Sequence, residues 1–189
     1  MEIKLRDFES QILYFNGMYK LPIAPYPTVY RVTEHEAARK PVEGWTSKDY
    51  LIRRLIDLRT ILTDEINEVV DIIDKLKLGV HEIKGQMIPY TELDCLTDLA
   101  DWLVDLQVYE ASEMAKFGLP NKESQKIVMG SNFSKQGADG KPIYDDNGKV
   151  EKGPMYWKPE PQLKAMIQEK IEEVLEANKS TLENGIVWR

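Results

Sequence analysis

The chain is poor in the residues that build the commonest metal and redox sites. It has one cysteine, Cys95, in 189 residues. A lone thiol forms no internal disulfide and suits a reducing compartment. Histidine is nearly as scarce: His35 and His81 are the two present. Neither follows a glutamate by three residues, which argues against the Glu-x-x-His pairs of a di-iron bundle. No apolar run approaches the roughly 18 residues that cross a bilayer. The first residues, Met1-Glu2-Ile3-Lys4-Leu5-Arg6-Asp7, are charged from the second position, unlike a secretory leader. Basic residues are outnumbered, 25 Lys and Arg against 32 Asp and Glu, for a net charge of −7. That balance argues against general nucleic-acid binding, which wants a basic face. The expectation is a cytoplasmic protein with no membrane and no nucleic-acid partner. An acidic chain can still take an anionic substrate when metal ions stand between them.

What is present is an ordinary globular composition, 42% hydrophobic and 30% charged, long enough for one domain or one domain with an appended arm. Leu5, Phe8, Ile12 and Phe15 recur at helical spacing and predict a first helix over residues 4–18. Leu21 to Pro41 holds Pro22, Pro25, Pro27 and Pro41 and reads as an irregular connection, with a short turn of helix around 33–39. A long helix begins near Thr46-Ser47, with Asp49 in its first turn, and runs to Gly79. A third starts near Thr91 and stops at Gly118-Leu119-Pro120. Asn121 is a plausible cap for a shorter fourth helix through Ile127 and Met129. Residues 135–158 turn glycine-rich and lysine-rich, with Asp146-Asn147-Gly148 as a hairpin signal. After Pro159 and Pro161 an amphipathic helix carries Leu163, Met166, Ile167, Ile171, Val174 and Leu175. The fold class expected is all-α: a bundle of four to five helices with an extended Gly/Lys-rich arm. Residues 1–134 form the helical domain, 135–160 the arm, and 161–189 a C-terminal helix and tail of the same domain.

The informative feature is where the acids fall on the helical wheel. With Glu65 at 0°, Leu58, Leu62, Val69 and Ile73 lie between about 20° and 80°, and Ile61 and Ile72 near 320° and 340°. Glu65 therefore sits inside the apolar stripe, and Glu68, near 300°, at its edge. Asp57, Asp64 and Asp71 gather near 240–280°, where a solvated face is expected. A carboxylate within a core-facing stripe is costly unless a cation, a proton or a metal ion compensates it, and this stripe offers no lysine or arginine near Glu65. On the third helix Asp94, Asp98, Asp101 and Asp105 share a sector of about 60°, where like charges repel. An acidic stripe is usually just a solvated face, and that reading stays open for Asp94 and Asp98. Two helices that each present carboxylates also make a cage of hard oxygen ligands, suited to Mg2+ or Mn2+.

These residues resemble the all-α, MazG-like nucleotide pyrophosphohydrolases, marked by Glu-x-x-Glu on one helix and an acidic pair on a later one. The first element here is Glu65-Ile66-Asn67-Glu68. The likeness sharpens toward the phosphoribosyl-ATP pyrophosphohydrolase-like branch. It is carried by Phe15-Asn16-Gly17-Met18-Tyr19-Lys20-Leu21-Pro22, Leu99-Ala100-Asp101-Trp102-Leu103-Val104-Asp105, Val108-Tyr109-Glu110-Ala111-Ser112-Glu113-Met114, Lys116-Phe117-Gly118-Leu119-Pro120 and Ser131-Asn132-Phe133-Ser134-Lys135, and it continues to Tyr156-Trp157-Lys158-Pro159. The second motif is usually Glu-x-x-Asp. Here Asp98 and Asp101 keep that spacing, whereas the distance to Phe117-Gly118 favours Asp105 as the motif aspartate. The resemblance implies cleavage of a nucleoside triphosphate between its α- and β-phosphates, giving a monophosphate and pyrophosphate. It implies Mg2+ (or Mn2+) held by Glu65, Glu68, Asp101 and Asp105, and a homodimer or homotetramer.

On that reading Glu65 and Glu68 are catalytic as well as ligands, Glu65 orienting a water because an apolar setting raises its basicity. Lys135 and Lys141 clamp phosphates, and Asn132, Asn16 and Phe15 contact base or sugar. Lysines are common in an exposed arm, and Phe15 reads more readily as core than as a base contact. Two other functions compete. One is a non-catalytic helical dimer that binds a nucleotide or a partner. The other is phosphoribosyl-ATP hydrolysis in histidine synthesis, which the long arm and proline-rich entry make less fitting. Spacing alone does not name the base.

Overall fold

A computed structural model of the chain describes residues 7–183. The described chain is all-α: helices α1 (Phe8–Met18), α2 (Tyr30–Arg39), α3 (Ser47–Asn67), α4 (Val69–Leu78), α5 (Glu92–Phe117), α6 (Asn121–Phe133) and α7 (Glu160–Glu183), with one small hairpin of β1 (Val80–Ile83) and β2 (Gln86–Pro89). Its contacts divide it into two units, residues 1–23 with 29–116, and residues 24–28 with 117–189. The residue expected to open the first helix, Leu5, lies outside the described residues.

The first unit is built on α2, α3, α4 and α5. A capping box starts α3: the Thr46 side chain accepts from Asp49 N, and Asp49 Oδ2 accepts from Thr46 N at 2.8 Å. That end follows the sequence closely. The single helix expected to reach Gly79 is instead two, because the ladder breaks at Glu68. The carbonyl of Glu65 accepts from the Trp102 indole N–H at 2.8 Å and from Glu68 N at 3.2 Å. A side chain competing for a ladder acceptor is a recognised cause of such breaks. α4 then ends on Gly79, whose φ of 68° closes the helix in the left-handed region that glycine adopts freely. The hairpin that follows was not anticipated. β1 and β2 pair antiparallel, Val80 with Pro89 and Ile83 with Gln86, around Lys84-Gly85, both at positive φ.

The proline-rich connection is also more ordered than expected, since α2 spans ten residues. Arg53 of α3 secures it, donating to the carbonyls of Glu36 at 2.8 Å and Lys40 at 3.0 Å. The guanidinium lies over the rings of Trp45 and Tyr50. Ile12, Val32, Tyr50, Ile72 and Ala111 form the buried apolar centre of this unit.

In the second unit, Gly118 ends α5 at φ 65° against residues 24–28. A Cβ there would stand 2.1 Å from the Tyr26 carbonyl, so only glycine fits. α6 starts after Pro120 without a side-chain cap: Asn121 Oδ1 accepts from Gln125 Nε2 at 3.1 Å instead. The arm holds the expected tight turn. Tyr144 and Val150 form a bridge, and Asp145 accepts from Asn147 N and Lys149 N. Ser131 Oγ donates to the Trp157 carbonyl at 2.8 Å, tying the arm's end to α6.

Candidate functional site

The fold brings Glu65 to the place the wheel assigns it. Its residue is 6% exposed, and Oε1 is buried without a hydrogen-bond partner. The break at Glu68 has a local consequence. Glu65 stays in the last turn of α3 facing inward, while Glu68 occupies the junction with α4 and is exposed. Across from them α5 presents Asp101 and Asp105, also exposed, with Trp102 anchored to the Glu65 carbonyl.

The electrostatics single out one acid. Burial pushes the Glu65 carboxyl above its ordinary range, and the charges of Glu68, Asp105 and Asp101 push it further the same way. Glu65 is thus near enough to feel the other three carboxylates, with no cation among the influences on it. Tyr109, one turn beyond Asp105, is raised by burial and then by Glu65, Asp105 and Glu68, so its hydroxyl remains a hydrogen-bond donor at neutral pH.

The other two aspartates of the α5 stripe are engaged elsewhere. Asp94 Oδ2 accepts from Thr91 N at 2.9 Å and forms the first-turn capping pair of α5. Asp98 Oδ2 accepts from Lys75 Nζ at 3.0 Å and from the Tyr90 hydroxyl at 2.9 Å. Burial works to raise Asp98, but those two bonds outweigh it and hold the carboxyl below the ordinary range. Lys75 also pairs with Asp71 at 2.6 Å. A pocket of about 230 Å3 opens here, lined by Glu68, Asp101, Lys75 and Asp98 together with Asp71, Ile72 and Trp102. Sequence reasoning passed over Lys75 and Tyr90. Lys75 falls seven residues after Glu68, two helical turns along the same face, and that spacing was the available signal.

Magnesium fits the donor set by two tests and strains it by a third. All four side chains offer hard oxygens, and the buried, unpartnered Glu65 Oε1 is a polar atom whose cost some cation would remove. As they stand, however, no three His, Cys, Asp or Glu side chains among the described residues are close enough to enclose a metal ion. Glu68, Asp101 and Asp105 are exposed and turn about their side-chain bonds at little cost. The donor chemistry therefore suits magnesium, while the carboxylates as placed do not by themselves enclose an ion.

The remaining candidates are placed as follows. Asn16 is fully buried: its Nδ2 donates to the Ser112 carbonyl at 3.1 Å and its Oδ1 accepts from Ser112 Oγ at 2.6 Å. Phe15 is half-buried, its ring 4.7 Å from that of Tyr19. Asn132, Lys135 and Lys141 belong to the second unit. There Lys135 Nζ donates to Asn132 Oδ1 at 2.8 Å, and Lys141 is exposed.

No helix among the described residues is long and apolar enough to cross a membrane. No protein-family model matches the chain, and no curated protein matches it significantly. A solved structure from Exiguobacterium sp. 255-15, a protein provisionally designated an NTP pyrophosphohydrolase, is similar at 23% identity over 88% of this chain and 98% of that one, with a TM-score of 0.44. So distant a likeness leaves the site to stand on its own residues.

Proposed function

We propose that the chain is a metal-dependent nucleoside triphosphate pyrophosphohydrolase of the MazG-like kind, using Glu65, Glu68, Asp101 and Asp105. The observation that carries this reading is Glu65: a buried carboxylate with an unpartnered oxygen, surrounded by three further carboxylates and no cation. A structural role leaves such an arrangement unexplained, because each charge worsens the next. A bound Mg2+ or Mn2+ supplies the missing positive charge, shields the phosphates from the acids and lowers the pKa of water.

The chain's own residues do the rest. Glu68, Asp101 and Asp105 would hold the cations. Glu65, fixed by its burial and by Trp102 on its carbonyl, orients the attacking water toward the α-phosphorus and takes its proton as pyrophosphate leaves. The pocket between Glu68 and Lys75 receives the nucleotide, its Ile72 and Trp102 walls excluding water. Asp98, committed to Lys75 and Tyr90, is a positioning group and not a ligand. Asn16, spent on Ser112, fits a structural role better than base contact.

The working form is a homodimer or homotetramer. Ile52, Leu55, Ile56 and Ile66 of α3 and Leu96, Leu103 and Val104 of α5 are each about half exposed, and exposed apolar surface of this kind marks interfaces between subunits. Incubation with a panel of dNTPs and NTPs in Mg2+ tests the reaction. The expected products are monophosphate and pyrophosphate in equal amounts, with none formed in EDTA. Release of orthophosphate, or cleavage of no nucleotide, refutes it.

A further inference from the structure

The first unit buries a second set of charges that the reaction above leaves unused. Glu113 is 6% exposed, and Arg54 and Lys116 are each 8% exposed. Arg54 donates through Nε to Glu113 Oε1 at 2.8 Å and through Nη2 to Oε2, and Lys116 Nζ donates to Oε2 at 2.9 Å. Two buried cations therefore share one carboxylate. Glu36, 3% exposed, is shared in the same way: Arg39 reaches it at 3.0 Å and Arg53 at 3.6 Å, with Arg39 also 3.6 Å from Asp57. The cluster counts four cations (Arg39, Arg53, Arg54, Lys116) against three carboxylates (Glu36, Asp57, Glu113).

A buried cation without its own counter-charge is costly. Here the surplus borders a cavity of about 90 Å3, lined by His35, Glu36, Arg39, Arg54 and Lys116 with apolar walls on the remaining side. That is space for a few waters or for one small tetrahedral ion. Lys116 has three N–H donors and spends one on Glu113. Guanidinium and ammonium groups converging on one space are the usual recognition set for phosphate-like oxygens.

We propose that this cavity is an anion site for a small tetrahedral oxyanion, orthophosphate in its simplest form, held by Lys116, Arg54 and Arg39. The bound ion supplies negative charge where Glu36, Asp57 and Glu113 are outnumbered by the four cations. Burial draws the Lys116 ammonium below its ordinary range, against the pull of Glu113, and a neighbouring oxyanion works to restore it. The site is separate in composition from the Glu65 carboxylates and does not depend on the proposed reaction.

Calorimetric titration of phosphate into the full chain tests it, in EDTA and at fixed ionic strength, with sulfate and chloride run in parallel. EDTA keeps metal-bridged phosphate off the Glu65 carboxylates. The expected result is saturable binding of one phosphate per chain, matched by sulfate and not by chloride. Affinity should fall at least tenfold in Lys116→Met, which keeps the Arg54–Glu113 pair, and in Arg39→Met, whose side chain is 45% exposed and whose partner Glu36 keeps Arg53. Glu68→Ala should bind as the wild type does. Absence of saturable binding, equal binding of chloride, wild-type affinity in Arg39→Met, or loss of binding in Glu68→Ala each overturns the assignment.

Discussion

Glu65 and Glu113 are buried to the same degree, 6% exposed, within the same folding unit, yet their carboxyls are driven in opposite directions. For both, burial is the largest influence and acts upward. At Glu65 the neighbouring carboxylates add to it. At Glu113 the hydrogen bond from Arg54 and the charge and hydrogen bond of Lys116 overcome it, and the group is held below its ordinary range. Burial sets the stakes, and the neighbours decide the sign. One glutamate is tied into the fold by its neighbours. The other is left uncompensated by them, as a site awaiting a cation would be.

The largest effect should come from breaking the paired side. Glu113→Ala leaves Arg54 and Lys116 buried without their shared partner and should cost about 3–5 kcal/mol of stability, read as a fall in denaturant midpoint. Glu65→Gln should leave the midpoint unchanged or raise it, since it removes an unfavourable charge. A fall as large as that of Glu113→Ala would erase the contrast. Next, Glu68→Ala and Asp101→Ala should each lower pyrophosphate release at least a hundredfold, about 2.7 kcal/mol in the barrier, with the helical circular dichroism intact. Asp98→Asn should cost less, because Asp98 meets Lys75 and Tyr90 and not the reacting groups.

The acid limb of stability sharpens the comparison further. A carboxyl depressed in the folded state contributes stability above its unfolded value and loses it as pH falls through the folded one. Glu113, ordinarily at 4.5, is such a group. The wild type should therefore lose stability below about pH 4.5, and Glu113→Gln should show a shallower loss over that window. Identical slopes would remove Glu113 from the account. Smallest in stability but plain in mass, Leu103→Glu on the exposed face of α5 should shift the sedimentation equilibrium toward monomer.

Much of this was legible in the sequence. The 3.6-residue period gave α1, α3, α5 and α7, and the wheel alone put Glu65 inside. What it missed depended on contacts between elements. The break at Glu68 follows from a Trp102 indole 37 positions away in the chain. Asp98 could not be told from Asp101 by spacing, because Lys75 reaches it from α4 and Tyr90 from just after the hairpin. The Arg54–Glu113 pair joins residues 59 apart, and no periodicity announces it. The hairpin at residues 80–89 was hidden by its brevity, since two four-residue strands give periodicity little to work on.

The central claim is that Glu65 waits for a divalent cation, and a Mg2+ or Mn2+ titration followed by melting temperature tests it most directly. A saturable rise is expected in the wild type, one that Glu65→Gln and Asp105→Asn lose and Glu113-side variants such as Lys116→Met retain. No rise in the wild type with either cation, or an equal rise in Glu65→Gln, would contradict it.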